Sequence, residues 1–193
     1  MDATAWNARY AASDLVWSAE PNRFVEAELT DLPPGRALDL AAGEGRNAIW
    51  LARRGWEVTA VDYSQVGIDK GRRLAGDTDV HWVCADATTW DERAAYDLTV
   101  IAYLQVPAAD RRAAVRAGFA SLRPGGTLLV VGHDSQNLTD GVGGPQDAGV
   151  LYTAADLLED LSDQRFDTVR ADRVERPVED AVALDVLVRL VRR

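Results

Sequence analysis

The sequence predicts a doubly wound α/β domain, and three observations carry that prediction. Five apolar, β-rich runs alternate with segments of helical period across residues 36–132. Two further β-like runs close the chain. A glycine-rich turn joins the first run to the first helical segment, the place where open α/β sheets bind ligands.

The five runs are Arg36–Leu40, residues 56–61, residues 80–85, Tyr96–Ala102 and residues 127–132. They read as near-continuous apolar stretches, as strands covered on both faces do. Between them, Ala48, Leu51 and Ala52 share one helical face, Ile68 shares another with Leu74 or Ala75, and Val115, Phe119 and Leu122 share a third. Short connections and right-handed crossovers then place helices on both sides of a mostly parallel sheet. Ahead of the sheet, Pro21 suits a first helical turn, with Phe24, Val25, Ala27 and Leu29 following, and Pro33-Pro34-Gly35 ends that segment. Residues 134–149 hold four glycines and a proline with little apolar content, the composition of a working loop or a disordered one. The last two runs, residues 166–174 and 181–191, flank a polar turn around residues 175–180. In the second, Ala181, Ala183, Asp185, Leu187 and Arg189 alternate with Val182, Leu184, Val186, Val188 and Leu190, a period that fits one buried face. The short connection makes the two an antiparallel pair closing the sheet. No repeat or domain boundary interrupts residues 1–193, which are read as a single domain.

Composition narrows the function. Apolar residues make up 47% and charged residues 27%, ordinary for a globular domain that holds its core without disulfides. Cys84 is the only cysteine, which suits a reducing, cytoplasmic setting and leaves no cysteine cluster for a metal; it is expected to be buried and inert. The first residues, MDATAWNARYAASD, lack the basic and apolar regions of a signal peptide, and no apolar stretch approaches a membrane span. The formal net charge of −10, with arginines scattered or in short pairs, argues against nucleic acid and for a small-molecule acceptor.

The chemistry concentrates in residues 37–62, ALDLAAGEGRNAIWLARRGWEVTAVD. A strand end carries Asp39, a turn carries Gly43 and Gly45, a helix opens near Arg46, and the next strand ends in Asp62. Glycines let the backbone swing and a ligand lie against it, while the helix start turns free N–H groups toward that ligand. A strand-end carboxylate accepts both hydroxyls of a ribose. Gly43-x-Gly45-x-x-Ala48 with Asp62 also satisfies the relaxed dinucleotide fingerprint, so an NAD(P)-binding oxidoreductase is the alternative. Three carboxylates weigh against it. Asp39 would repel a pyrophosphate yet suits an ammonium, Glu44 adds to that negative field, and Asp86 can accept an adenine amine. A Tyr-x-x-x-Lys pair is also missing.

Asp39-Leu-Ala-Ala-Gly-Glu-Gly45 resembles the D-x-x-x-G-x-G motif of class I S-adenosylmethionine methyltransferases. Asp62, Asp86-Ala87 and Leu122-Arg-Pro-Gly-Gly-Thr127 resemble that family's later landmarks. Gly45-Arg-Asn-Ala48 with Leu51 and Gly55 is similar to the tellurite-resistance and thiopurine-methyltransferase-like small-molecule branch. The resemblance implies a Rossmann-like, mostly parallel seven-stranded sheet with an antiparallel C-terminal strand, and residues 1–35 as a helical lid on a core of residues 36–193. It implies S-adenosylmethionine as cofactor, with S-adenosylhomocysteine as product. Asp39 would hold the methionine amine, Gly43 and Gly45 would pass beneath methionine and ribose, and Ala41 and Asn47 would belong to the same cradle. Asp62 would bind the ribose, Tyr63 would stack on adenine, and Asp86 and the Ala87 backbone would bind adenine's edge. Ala102 and Tyr103 would lie beside the reactive methyl. Ala41 departs from the glycine or cysteine that the family often has there, a small departure.

In-line methyl transfer from a sulfonium needs alignment above all, and a base only for an acceptor that arrives protonated. His133, after the fifth run, and Tyr103 are the catalytic candidates; Asp134 beside His133 offers it a local partner. Tyr10, Trp17 and Asn22 are further candidates to line the pocket, with Trp6 in the same segment, and His81 reads as structural. Ala102-Tyr-Leu-Gln105 stands where a nucleic-acid enzyme would carry Asn/Asp-Pro-Pro-Tyr. A non-catalytic binder of the cofactor is the remaining alternative. Acceptor identity and oligomeric state are not legible.

Overall fold

The computed structural model describes residues 3–193; Met1 and Asp2, the start of the expected lid segment, lie outside the described residues. Seven strands form one sheet in the order β3-β2-β1-β4-β5-β7-β6. They are β1 (Arg36–Leu40), β2 (Glu57–Asp62), β3 (His81–Cys84), β4 (Tyr96–Ala102), β5 (Leu122–His133), β6 (Phe166–Val178) and β7 (Ala181–Arg192). The first five are mutually parallel, and β7 runs antiparallel to both neighbours. The helices are α1 (Ala3–Ala11), α2 (Arg23–Leu29), α3 (Arg46–Arg53), α4 (Gln65–Ala75), α5 (Ala108–Ser121), α6 (Asn137–Asp140) and α7 (Ala154–Asp160). This is the doubly wound, Rossmann-like sheet with an antiparallel C-terminal strand.

Two apolar layers cover the sheet. On one face Leu38, Leu40, Ile101 and Val130 pack with Val115 and Phe119 of α5 and Leu157 of α7. On the other, Ala37, Val58, Leu98 and Leu129 pack with Val25 and Leu29 of α2 and with Ala48 and Leu51 of α3. The continuous apolar runs follow from this double covering.

Several expectations need correction. Leu122 does not extend the α5 face but begins β5, because Pro124 drives the residues before it out of helical geometry. Pro21 precedes the helix: Asn22 is the N-cap, its Oδ1 accepting from Phe24 and Val25 N–H. Strand β6 runs on through Val178, so the polar turn shrinks to Glu179-Asp180. The one-sided burial predicted for β7 fails, since Val186, Val188 and Leu190 enter one layer and Leu187 the other. Lying between β5 and β6, β7 is an interior strand. Cys84, expected to be buried, ends edge strand β3 and is exposed. Residues 134–149 are ordered around buried Asn137, which donates to the Gly143 carbonyl at 2.9 Å and accepts from Leu184 N–H at 2.7 Å.

Candidate functional site

Because β1 to β5 are parallel, the residues at and after their C-terminal ends gather along one edge of the sheet. The antiparallel β7 brings Asp185 to the same edge, opposite His133.

The glycine turn lies at the centre of this edge. Ala41, Gly43 and Gly45 take left-handed φ of 66°, 59° and 75°. The Ala41 substitution is therefore less neutral than expected, since a Cβ in this region costs about 1–2 kcal/mol. Gly43 lies so close beneath the N-terminal segment that a Cβ there would stand 2.6 Å from the Tyr10 hydroxyl. At Gly45 the Trp82 ring fills the space a Cβ would need. Glycine is required there by packing as well as by φ.

Two carboxylates frame the turn. Asp62 accepts from Gly43 N–H through Oδ2 and from Ser64 N–H through Oδ1, both at 2.8 Å. It therefore holds the turn in shape as well as presenting two oxygens to the edge. Burial pushes its pKa up against those two N–H groups. Asp39 is 1% exposed; Oδ2 accepts from Ala48 N–H at 3.0 Å, and Oδ1 is buried without a hydrogen-bond partner. Burial raises its pKa to about 7, helped by the charge of Asp62 and opposed by the Ala48 N–H and Arg46. A buried carboxylate oxygen without a donor is costly unless a cation meets it. Asn47 is also buried, its Oδ1 accepting from Asn22 N–H at 2.9 Å, so it ties α3 to the start of α2.

At the third strand end, Asp86 is exposed and caps the short 3₁₀ turn Ala87–Thr89, accepting from Thr88 N–H at 2.8 Å. Ala87 is buried. Tyr63 is half-buried after β2, its carbonyl facing the Cys84 thiol at 3.6 Å. Ala102 closes β4, half-buried among residues of the α2–α3 layer.

Beyond it, Tyr103 adopts φ 58°, and its hydroxyl donates to Asp185 Oδ2 at 2.7 Å. Arg176 Nε donates to the same oxygen at 2.6 Å. His133 Nδ1 lies 3.2 Å from Asp185 Oδ1, off the line of a hydrogen bond. Its ring meets Tyr103 edge-on at 4.9 Å, and Gly144 packs against it from the glycine-rich loop. Gln105 Oε1 accepts from the His133 backbone N–H at 2.9 Å. The partner of His133 is therefore Asp185 and not the adjacent Asp134, whose Oδ1 accepts from Gln136 N–H. Burial and the neighbouring Asp185 charge raise the Tyr103 pKa, while Asn22 and Arg176 pull it down. Asn22 thus reaches Tyr103, and Tyr10 and Trp17 lie against Gly43; Trp6 packs on Tyr10 from α1, and His81 sits exposed on β3.

Three charged residues on this edge were not singled out from sequence. Arg46 opens α3 with its side chain largely withdrawn from water, which lowers its pKa, while Tyr103 and Asp39 pull it up. Buried Asp185 pairs with half-buried Arg176 on the closing strands. Asp185 did carry a signal, as a carboxylate inside the apolar run ALDVLV. Arg176 lies across the β6–β7 hairpin from it, but Tyr103 and His133 came from segments too distant in sequence to be matched by spacing.

Residues 37–126 match the family model described as "Methyltransferase domain". A demethylmenaquinone methyltransferase of Clavibacter sepedonicus is 33% identical over 121 residues, covering 61% of this chain and 47% of the relative. The chain thus spans about half the length of that curated relative. The 1,6-didemethyltoxoflavin-N1-methyltransferase of Burkholderia thailandensis, solved with its substrate and S-adenosylhomocysteine, is 24% identical with a TM-score of 0.71, covering 99% of this chain and 87% of that one. TehB from Haemophilus influenzae is 17% identical with a TM-score of 0.74, covering 90% and 63%. These structures share the fold. Among the described residues no helix is long and apolar enough to cross a membrane.

Proposed function

We propose, from the methyltransferase domain that residues 37–126 carry, that the protein is an S-adenosylmethionine-dependent methyltransferase acting on a small-molecule acceptor by in-line displacement. The observation that carries this reading is Asp39. Its unpartnered, buried Oδ1 beside the glycine turn suits the ammonium of a methionine moiety and would repel the pyrophosphate of a dinucleotide. The remaining groups fit the same ligand. Arg46, in the field of Asp39, suits the methionine carboxylate, and Asp62 keeps lone pairs for ribose hydroxyls beyond those given to Gly43 and Ser64. Gly43 and Gly45, with Ala41 and Asn47 shaping the turn, form the cradle. Tyr63 would stack on the adenine, and Asp86 and the Ala87 backbone would hold its edge.

When bound, S-adenosylmethionine supplies a methyl group on a positively charged sulfur. The protein's part is to align the acceptor with it and exclude water. Ala102 and Tyr103 border the reacting centre, Asp185 and Arg176 hold the Tyr103 ring, and His133 orients the acceptor or takes its proton. A small acceptor agrees with the acidic charge and with the toxoflavin-precursor enzyme that shares the fold. A cytoplasmic setting agrees with a single exposed cysteine.

Calorimetric titration with S-adenosylhomocysteine, with NADH and NADPH in parallel, tests the reading. Binding of S-adenosylhomocysteine alone is expected. Binding of a nicotinamide cofactor in its place would overturn it.

A further inference from the structure

Glu44 stands between the two glycines of the turn, where its charge was expected to act on a ligand. The structure turns it the other way. Glu44 is 2% exposed, and its Oε2 accepts from the backbone N–H groups of Val16 at 3.0 Å and Trp17 at 3.1 Å. Its Oε1 lies 3.4 Å from Lys70 Nζ on α4, and Lys70 in turn donates to the Ser13 carbonyl. The Glu44–Lys70 ion pair thus clamps residues 13–17 at Ser13, Val16 and Trp17.

That clamp differs in kind from what holds α1. There Tyr10 packs on Gly43 and Gly67, and Asn7 Oδ1 accepts from Ser64 Oγ at 2.7 Å and Val66 N–H at 3.2 Å. Residues 12–22 have no regular structure, and the Val16 and Trp17 amides find their acceptor in Glu44. Loss of the Glu44 carboxylate would leave the Val16 and Trp17 amides without that acceptor and α1 seated, with Arg46 Nη1 still donating to Ser18 Oγ at 3.2 Å. The stretch also covers the turn, since Trp17 Nε1 would stand 3.8 Å from a Cβ at Gly43, beside the Tyr10 hydroxyl. Tyr10 and Trp17 thus cover the turn together, and Trp17 is the part of that cover that Glu44 holds.

We propose that Glu44 is the latch of a gate formed by residues 12–20, and that cofactor enters and product leaves when Glu44 releases Val16 and Trp17. Glu44 is then a positioning residue that acts on exchange through the cover. The inference rests on the cofactor reading above, and its test separates the two. Amide hydrogen exchange of the full chain is compared for wild type and Glu44→Gln, and S-adenosylhomocysteine dissociation is followed by stopped-flow tryptophan fluorescence. Exchange at Val16 and Trp17 is expected to accelerate at least tenfold in the variant, with Leu51 in α3 unchanged as the control for folding. Dissociation is expected to accelerate at least fivefold. Unchanged exchange at Val16 and Trp17 would overturn the latch, and faster exchange with unchanged dissociation would overturn the gate. No binding of S-adenosylhomocysteine to wild type would overturn the cofactor reading and the gate with it, while exchange still judges the clamp. If Glu44→Gln does not fold, Val16→Pro removes one of the two N–H groups from which Glu44 accepts and is held to the same outcomes at Trp17.

Discussion

The Tyr103 hydroxyl donates to Asp185 Oδ2 at 2.7 Å, joining the end of β4 to β7 across 82 residues of sequence. Arg176 completes a trio around the buried Asp185, whose pKa is held below the ordinary 3.8, against burial, by His133, Arg176 and Tyr103. The trio fixes a tyrosine in left-handed backbone at the edge where the acceptor is proposed to sit. Strain of this kind persists where surrounding contacts over-determine it.

Removing the carboxylate should therefore be costly. Asp185→Leu leaves Arg176 and the Tyr103 hydroxyl without their acceptor, and a loss of about 3 kcal/mol is expected in urea unfolding at pH 7. Because the folded-state pKa of Asp185 is depressed, its contribution is full above pH 3.8 and fades on further acidification. The destabilisation should accordingly shrink below pH 3.8. A loss that stayed constant down to pH 2 would mean that packing, not charge, carries the effect.

Asp39 behaves in the opposite sense. With a folded pKa raised to about 7 from 3.8, the folded state keeps a proton that the unfolded state gives up, so stability falls as pH rises from about 4 to 7. Asp39→Asn keeps an acceptor for Ala48 N–H and removes the buried charge. A higher Tm at pH 8 is expected, together with at least tenfold weaker binding of S-adenosylhomocysteine. An unchanged affinity would remove Asp39 from the proposed ammonium site.

The same group predicts proton linkage. Meeting an ammonium favours ionised Asp39, so binding of S-adenosylhomocysteine near pH 6 should release a proton, and affinity should rise with pH until about 7. Calorimetry in buffers of different ionisation enthalpy measures the release directly. Asp39→Asn should abolish it.

Asp62 has two tasks that one substitution can separate by size. Asp62→Ala removes the acceptor of Gly43 and Ser64 N–H groups, for which about 2 kcal/mol of stability is expected to go. If Asp62 also receives ribose hydroxyls, cofactor affinity should fall by a further ~1–3 kcal/mol under conditions where the variant is folded. Weaker folding with full affinity would leave Asp62 as a brace of the turn alone.

Ala41 offers a test of strain. Replacement by glycine relieves a Cβ at φ 66° while adding backbone freedom to the unfolded chain, and a net gain of about 1 kcal/mol is expected by thermal unfolding. Lower stability in Ala41→Gly would mean that the methyl's packing against the core outweighs the strain.

The sequence by itself determined the alternation of strands and helices, the closing antiparallel pair and the glycine turn with Asp39 and Asp62 at strand ends. These are local: periodicity, strand-end carboxylates and φ-permissive glycines are legible within about thirty residues. Only the tertiary structure decided that β7 is interior, because the side chains of one strand do not reveal which strand will lie beside it. It alone set His133 beside Asp185 and not Asp134, exposed Cys84 on an edge strand, and gave Glu44 the Val16 and Trp17 N–H groups as partners. His133 and Glu44 each took the polar partner that folding brought near, and sequence spacing carries no record of that partner.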